Sequence, residues 1–302
     1  MTGANLPVSV VIPTYRREQV LLDTVNFLLE LDPPALEILV VDQSESHEKP
    51  TQDKLSAWDR DGTIRWVRLA RPSITRAMNI GLERARAENV LFVDDDIIPG
   101  SRLLSAHAGV HAEGGCKIVA GQVLQPGEIA QSGGAFRFCS NQRCWVEEFM
   151  GGNFSVNRAL AISLGGFDEN FVRVAYRFEA EFCGRALAAG ERILFEPDAG
   201  IRHLKAAAGG TRSYGSHLTT IRPNHAVGAY YYLLRGRNVS HRLGKVIARF
   251  FRSVRTRHHL MQPWWIPGTL MAELLGLLWA LRLFLRGPRL IGPVSPGRER
   301  HG

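Results

Sequence analysis

This chain of 302 residues has few cysteines, few acidic residues in its last third and neither of the common glycine-rich phosphate motifs. Four cysteines are too few for a disulfide scaffold, and no secretory signal precedes the first apolar run, so we expect a reduced, cytoplasmic protein. No GxGxxG follows the first predicted strand and no GxxxxGK[ST] occurs anywhere. These absences exclude the two commonest glycine cradles for phosphate, so a bound phosphate would need cations.

Charge is distributed unevenly along the chain. Residues 1–198 carry 20 Lys/Arg and 27 Asp/Glu, whereas residues 199–302 carry 17 Lys/Arg and two acids, Glu273 and Glu299. A hydrophobic content of 45% is typical of a folded globular protein and excludes disorder over most of the length. The pattern predicts an acidic soluble domain followed by a segment that meets an anionic partner.

Strand and helix signals alternate through the first 125 residues. Short apolar runs are the strand signals, and they lie at residues 8–12, 37–41, 64–69 and 90–93. Apolar runs joined through helices are typical of parallel strands buried on both faces. We therefore predict an α/β fold, a mostly parallel open sheet with helices on both faces, whose carboxyl edge is where ligands bind.

Three consecutive carboxylates, Asp94, Asp95 and Asp96, follow the fourth predicted strand. Like charges at contact distance repel, and a shared Mg²⁺ or Mn²⁺ with substrate phosphates relieves that repulsion. The alternative is a loop whose acids cap the next helix, where negative charge is favoured. Both interpretations stand for these residues taken alone.

Six motifs in a fixed order resemble those of the family 2 glycosyltransferases, the inverting nucleotide-sugar transferases of the GT-A fold. They are VSVVIPTYRR (8–17), ILVVDQS (38–44), RPSITRAMNIGLERA (71–85), VLFVDDDIIP (90–99), GGFDENF (165–171) and FEAEFCGRAL (178–187). The resemblance runs from about Val8 to about His203. It implies a glycosyltransferase domain at residues 1–235, with a nucleotide-sugar half to about residue 125 and an acceptor half at about 126–235.

The resemblance implies a donor site and a metal site at the carboxyl edge of the sheet. The residues that would contact the nucleotide sugar are Pro13, Thr14, Tyr15, Arg16, Asp42, Arg71, Arg76, Asn79, Asp94 and Asp95. Asp94 and Asp96 match the family's DxD motif, and His203 matches a histidine that completes the metal site in related enzymes, with Mn²⁺ or Mg²⁺ as the implied cofactor. Each of three of these residues has an alternative role. Asp42 could be a turn residue that ends a strand, Arg76 a solvated charge on a helix, and His203 a structural histidine.

The catalytic base that the resemblance implies is the second acid of a Glu-Asp pair, which here reads Phe178-Glu179. Keeping Arg185 in its aligned place puts Glu179 on the base and leaves Glu181 as the other candidate. One methylene shifts a carboxylate by about 1.5 Å, which is of the order that matters in catalysis. We predict Glu179 as the base, and the alternative for both acids is ion pairing with Arg177 or Arg185.

Glycine-rich loops match the stretches that lie near the acceptor in the family. The predicted acceptor-binding residues are Gly152, Asn153, Gly166 and Asp168. The implied reaction is a single in-line displacement that transfers a sugar from a nucleoside-diphosphate sugar, UDP-linked by default, to a hydroxyl of a glycan or lipid-linked acceptor. Two alternatives stay open: a nucleotidyltransferase of similar fold, and a membrane-docked scaffold whose site is degenerate because Phe178 replaces an acid.

The basic segment at residues 236–302 predicts a helical extension that associates with a membrane. A helical apolar stripe opposes a basic face; the stripe is Leu243, Val246, Ile247, Phe250, Phe251 and Val254, and the face is Arg242, Lys245, Arg249, Arg252, Arg255 and Arg257. This pattern favours an anionic membrane, contacted through residues 236–290, over nucleic acid, because the aromatic residues share the apolar stripe.

A second apolar stretch, residues 264–285, approaches the length of a bilayer span but carries Glu273 and Arg282. We predict a helix that lies in the plane of the membrane, on the cytoplasmic face. A packed helix or homodimer interface and a true span are the alternatives.

Overall fold

A computed structural model describes residues 5–236 and 239–292, and within this part of the chain nine strands form one sheet. The strands are β1 (Leu6–Thr14), β2 (Ala35–Asp42), β3 (Arg65–Arg68), β4 (Asn89–Val93), β5 (Ile97–Pro99), β6 (Ile118–Leu124), β7 (Cys144–Val146), β8 (Asn153–Asn157) and β9 (Ile193–His203). Their order is β3-β2-β1-β4-β8-β6-β9-β5, with β7 paired to β9. β1 to β4 are parallel, and β8 runs antiparallel to both β4 and β6, so the sheet is mixed.

Helices cover both faces of the sheet, which confirms the predicted α/β class. They are α1 (Gln19–Leu29), α2 (Lys49–Arg60), α3 (Ile74–Arg84), α4 (Leu103–Ala112), α5 (Arg158–Ser163), α6 (Phe178–Ala188), α7 (Ala226–Arg235), α8 (Val239–Arg252), α9 (Arg257–Met261) and α10 (Ile266–Arg286). Alternate residues of β1 join different cores: Val10 and Ile12 pack with α1, α2 and α4, whereas Val11 packs with α3. The sequence did not indicate α2, which buries only Thr51, Leu55 and Trp58.

The C-terminal helices pack against the body of the protein. α10 lies along α7, and a Cβ added at Gly276 would lie 2.5 Å from Ala226 Cβ. Beyond α10, Arg289 and Ile291 exchange backbone hydrogen bonds with the 165–171 loop, at 2.9 Å each. The division of the chain at residue 235 stays a prediction.

The apolar stripe predicted on α8 is only partly covered. Val246 is buried, whereas Leu243, Ile247 and Phe251 are exposed. Among the described residues, one helical stretch, Pro263–Arg286, is long and apolar enough to cross a membrane by length and composition, and 33% of its most apolar window is buried.

Candidate active site

A cavity of about 550 Å³ opens at the carboxyl edge of the parallel strands. Its walls come from the loops after β1 and β4, from residues 148–152 before β8, from residues 173–180 at the start of α6, and from the segment after β9. The two halves that the sequence predicted, one for the donor and one for the acceptor, both contribute walls. The cavity is therefore the candidate site.

Two carboxylates and an imidazole converge at the floor of the cavity. One ligand atom each from Asp94, Asp96 and His203 lies within 4.8 Å of the others. His203 Nε2 is 3.1 Å from Asp96 Oδ1 and 3.9 Å from Asp94 Oδ2. Register explains the meeting, because β5 pairs antiparallel with β9 and sets Ile97 opposite His203.

The orientation of His203 fits a cation between these groups. Its Nδ1 lies 3.0 Å from Gln125 Oε1, so Nδ1 donates and the lone pair of a neutral ring sits on Nε2, facing the carboxylates. Two acceptors 3.1 Å apart need a proton or a metal ion between them. Without a metal, the hydrogen bond to Asp96 raises the pKa of His203. Carboxylate oxygen and imidazole nitrogen are ligands suited to Mn²⁺, so the residues present fit the group.

Arg17 is a site residue that sequence reasoning missed. Its guanidinium is buried and binds two members of the acidic triplet, with Nε 3.0 Å from Asp95 Oδ1 and Nη2 3.1 Å from Asp96 Oδ2. Thr14 Oγ1 donates to the other oxygen of Asp95 at 2.7 Å. Burial raises the pKa of Asp95 to about 7, although Arg17 and Thr14 oppose the shift. Asp95 thus faces the β1 loop, and Asp94 and Asp96 face His203.

The β1 loop supplies a wall of the cavity through Pro13 and Tyr15. The Tyr15 ring stacks on Tyr214, with centroids 6.4 Å apart, and Tyr214 is a second wall residue that the sequence did not indicate. Arg16 is half-exposed and does not line the cavity; its guanidinium lies over the Tyr15 ring, 5.1 Å from the centroid, and its Nη2 is 3.7 Å from Glu45 Oε1. Arg71 is exposed, and it immediately precedes Pro72 and Ser73, which line the cavity before α3 begins.

Asp42 lies beneath the cavity and does not line it. His47 Nε2 donates to Asp42 Oδ2 at 2.8 Å, Trp66 Nε1 donates to the same oxygen, and Ser44 N donates to Oδ1. Burial works to raise the pKa of Asp42, but the hydrogen bonds from His47 and Ser44 outweigh it and hold the pKa low. Its predicted contact with the base stays a prediction.

Arg76 and Asn79 face the 165–171 loop. Asn79 donates to Phe167 O at 2.9 Å and accepts from Phe167 N at 2.8 Å, and Arg76 Nη1 is 3.2 Å from Glu169 Oε1. Gly166 adopts φ 62°, and a Cβ there would lie 2.5 Å from Asn79 Oδ1. These three predicted residues therefore hold the loop, and their contact with substrate stays a prediction.

The two candidate bases occupy different environments. Glu181 is buried and held by Arg185 Nη2 at 2.9 Å and Arg235 Nη2 at 3.0 Å. Glu179 lines the cavity, and no cation among the described residues forms an ion pair with it. Arg177 pairs instead with Glu148, at 2.8 Å. Burial, with a smaller contribution from Asp94, raises the pKa of Glu179 to about 7.

Two glycines bring Glu179 and Asp94 to the same wall. A Cβ on Gly151 would lie 2.8 Å from Glu179 Oε1, and a Cβ on Gly152 would overlap Asp94 Oδ2. A side chain at either position would displace the neighbouring carboxylate from its place. Of the predicted acceptor residues, Gly152 therefore lies in the cavity.

Asn153 and Asp168 lie in the interior. Asp168 Oδ2 accepts from Tyr231 Oη at 2.7 Å, and its Oδ1 accepts from Arg289 N at 2.9 Å, so it fastens the segment after α10. Asn153 Nδ2 donates to two backbone carbonyls, of Gln122 and Ala199. Their predicted acceptor contacts stay predictions.

A buried hydrogen-bond chain stands behind Asn153. Because the Asn153 amide donates elsewhere, its Oδ1 accepts from His107 Nε2 at 3.0 Å, and Ser155 Oγ, 2.8 Å away, donates to His107 Nδ1. His111 Nε2 then donates to Ser155 Oγ at 2.8 Å. The link from Ser155 to His107 Nδ1 requires a neutral His107, whereas His111 can donate to Ser155 in either protonation state. Burial lowers the pKa of His107 to about 3 and that of His111 to about 4.

Stability should fall as the solution is acidified. Below about pH 6.5 an unfolded chain protonates His107 and His111, whereas the folded chain does not until its own lower pKa values are reached. The two groups together lower the free energy of unfolding by up to about 2.7 kcal/mol per pH unit between about pH 6 and 4. Urea melts across this range should show that the slope is about half as steep in His111→Gln. An unchanged slope in that variant would contradict the assignment.

Sequence and structure comparisons relate the chain to known proteins. Residues 9–136 match the family model described as Glycosyl transferase family 2. No curated protein matches the chain by sequence. The mannosyltransferase PcManGT from Pyrobaculum calidifontis, solved with GDP-Man and Mn²⁺, is similar over 95% of this chain and 80% of its own, with a TM-score of 0.57 and 19% identity.

Two further structures share the fold. GalNAc-T7, solved with UDP, GalNAc and Mn²⁺, has a TM-score of 0.57 and 18% identity over 66% of this chain. S. aureus TarS has a TM-score of 0.50 and 18% identity over 65%. The matches span 44% of the GalNAc-T7 chain and 36% of the TarS chain. The predicted GT-A fold is confirmed by these likenesses.

Proposed function

Since residues 9–136 match the Glycosyl transferase family 2 model, we propose that the protein transfers a sugar from a nucleoside-diphosphate sugar to an acceptor hydroxyl, with inversion at the anomeric carbon. One observation carries the proposal. A carboxylate with a raised pKa, Glu179, and the Asp94, Asp96 and His203 cluster face the same cavity and meet at Gly151 and Gly152.

The donor diphosphate binds beside the acidic cluster. Asp94, Asp96 and His203 would hold Mn²⁺ or Mg²⁺ there, and the ion when bound supplies Lewis-acid neutralisation of the diphosphate charge. Two neighbours were solved with Mn²⁺ and a nucleotide or nucleotide sugar, UDP in one and GDP-Man in the other, which supports this assignment. Arg173 and Arg212 line the cavity and supply further positive charge, as expected where glycine cradles are absent.

Glu179 is the group that accepts the proton of the acceptor hydroxyl. A hydroxyl is a poor nucleophile, and a base with a pKa near the working pH removes its proton as it attacks the anomeric carbon. The new bond forms as the bond to the diphosphate oxygen breaks. The base activates the acceptor on one face of the anomeric carbon, and the diphosphate leaves from the opposite face. The sugar is therefore transferred in a single displacement, which inverts the anomeric configuration.

Arg17 and Thr14 keep the acidic triplet in order during this step. By binding Asp95 and one oxygen of Asp96, they leave Asp94 and the second Asp96 oxygen free to face His203. The apolar wall of the cavity, which includes Phe138, Phe149 and Phe178, excludes water from the leaving group. We assign a glycan or lipid-linked molecule as the acceptor and UDP as the default donor nucleotide.

A turnover screen tests the proposal. The full-length protein is incubated with Mn²⁺ and UDP-, GDP- or dTDP-linked hexoses, with water as the acceptor, and the nucleoside diphosphate released by donor hydrolysis is measured. We expect release from one donor class, and proton NMR spectra recorded before mutarotation should show the freed sugar in the inverted anomeric configuration. Binding without turnover would support the scaffold alternative, and pyrophosphate release from a nucleoside triphosphate and a sugar phosphate would support the nucleotidyltransferase. Either outcome overturns the proposal.

A further inference from the structure

α8 and α10 pack against each other and leave large apolar side chains exposed to solvent. On α8, Leu243, Ile247 and Phe251 recur every four residues and share one face. The exposed apolar side chains of α9, α10 and the turn between them are Leu260, Met261, Trp264, Met271, Leu274, Leu275, Leu278, Leu281, Phe284 and Leu285. These side chains and those of α8 are called the apolar face below. Clusters of this kind mark interaction sites.

The exposed charges around the apolar face are positive. They are carried by Lys245, Arg252, Arg255, Arg257, Arg282 and Arg286. Between residues 199 and 292 the sequence contains one acid, Glu273, which is buried and pairs with Arg249 at 3.1 Å. Two copies of this face would bring like charges together, so the charge favours an anionic surface over a second copy.

The packing of α10 shows how it meets such a surface. Gly276 packs against Ala226 of α7. Ala280 and Leu283 are buried in the same core as Tyr230 and Tyr231 of α7. A helix held lengthwise against the body of a folded domain cannot cross a bilayer without taking that body into the lipid. Its exposed side can still lie in the plane of the membrane.

We propose that α8, α9 and α10 dock the protein on an anionic lipid bilayer, with the apolar face at the acyl boundary and the cations against the headgroups. α10 also contacts a residue of the cavity wall: the Arg173 guanidinium, which lines the cavity, lies 5.7 Å from the centroid of the Trp279 ring on α10. If the proposed function holds, docking sets the cavity at the level of a lipid-linked acceptor.

Vesicle binding of the full-length protein, without substrate, tests the docking. We expect flotation with phosphatidylcholine vesicles that contain phosphatidylglycerol and little flotation with phosphatidylcholine alone. Each cation near the surface strengthens binding about fivefold at low salt. Replacing Lys245, Arg252, Arg255 and Arg257 by Gln should therefore weaken binding more than about 100-fold. The matched control replaces four exposed cations elsewhere, Lys49, Lys54, Arg60 and Arg86, and should bind like the unchanged protein.

Apolar substitutions test insertion separately from charge. Replacing Phe251, Leu278 and Leu285 by Ser should weaken binding about tenfold or more per side chain. Replacing exposed apolar residues elsewhere, Leu29, Leu36 and Ile129, should leave binding unchanged. Circular dichroism confirms that each variant is folded. The proposal is overturned if the protein does not bind anionic vesicles at low salt. It is also overturned if the protein is a dimer that the Phe251, Leu278 and Leu285 variant dissociates. Neither outcome bears on sugar transfer.

Discussion

Glu179→Gln should lower turnover by about 10²- to 10⁴-fold while donor affinity stays near that of the unchanged enzyme. Gln keeps the shape of the side chain but cannot accept the acceptor's proton. In the unchanged enzyme, turnover should rise with pH and level off above about pH 7, because the base works only when deprotonated and burial raises its pKa to about 7. Initial rates across pH and calorimetric titration of the donor measure both effects.

Glu181→Gln is the matched control for this prediction. Glu181 is held by Arg185 and Arg235, so its loss should lower the free energy of unfolding by about 1–3 kcal/mol. Turnover of the folded enzyme should stay close to that of the unchanged protein, with the same pH profile. If Glu179→Gln kept full turnover and Glu181→Gln lost it, the roles assigned to the two acids would be reversed.

Asp96→Asn should reduce turnover on the order of 1,000-fold and abolish the thermal stabilisation that Mn²⁺ gives with the donor. Loss of the carboxylate removes a metal ligand. Metal neutralisation of a diphosphate leaving group lowers the activation barrier by several kcal/mol, and this stabilisation would be lost. Arg17 retains Asp95 as its partner in this variant, so the fold should persist. Thermal melts with and without Mn²⁺ and a nucleoside diphosphate check the effect.

Asp53→Asn gives the control for Asp96→Asn. Asp53 is an exposed carboxylate on α2 that pairs with Lys49. Its loss should leave turnover and the Mn²⁺ response unchanged. An Asp96 variant that still responds to Mn²⁺ like the unchanged protein would exclude Asp96 as a ligand.

The parts of the site that follow directly from strands were predicted, though not from local pattern alone. Asp94, Asp95 and Asp96 follow a fully apolar run, which left a metal site and a helix cap both open. The family resemblance added His203, and the edge of the sheet brings it to Asp94 and Asp96. Arg17 was missed because two arginines stand side by side. A positive φ of 55° at Arg16 turns Arg16 outwards and Arg17 inwards, and nothing in the sequence marks that conformation.

Long-range partners explain most of what the sequence did not indicate. Glu181 is held by Arg235, which is 54 residues away on a helix of its own, and Asp168 is fastened by Tyr231 and Arg289. These contacts depend on how α7 and α10 pack on the body. Helical spacing predicted an apolar stripe as far as Val254, whereas α8 ends at Arg252, so the stripe lies on the helix only as far as Phe251. Which of its side chains are covered depends on the same packing.

Calorimetric titration of nucleoside diphosphates, with Mn²⁺ and then with a chelator, tests the central claim most directly. If Asp94, Asp96 and His203 hold a divalent ion against the donor diphosphate, UDP or another diphosphate should bind at least about tenfold more weakly when the ion is removed. The Asp96→Asn protein should bind weakly under both conditions. Equal affinity of the unchanged protein with Mn²⁺ and with chelator, for UDP, GDP and dTDP alike, would contradict the account.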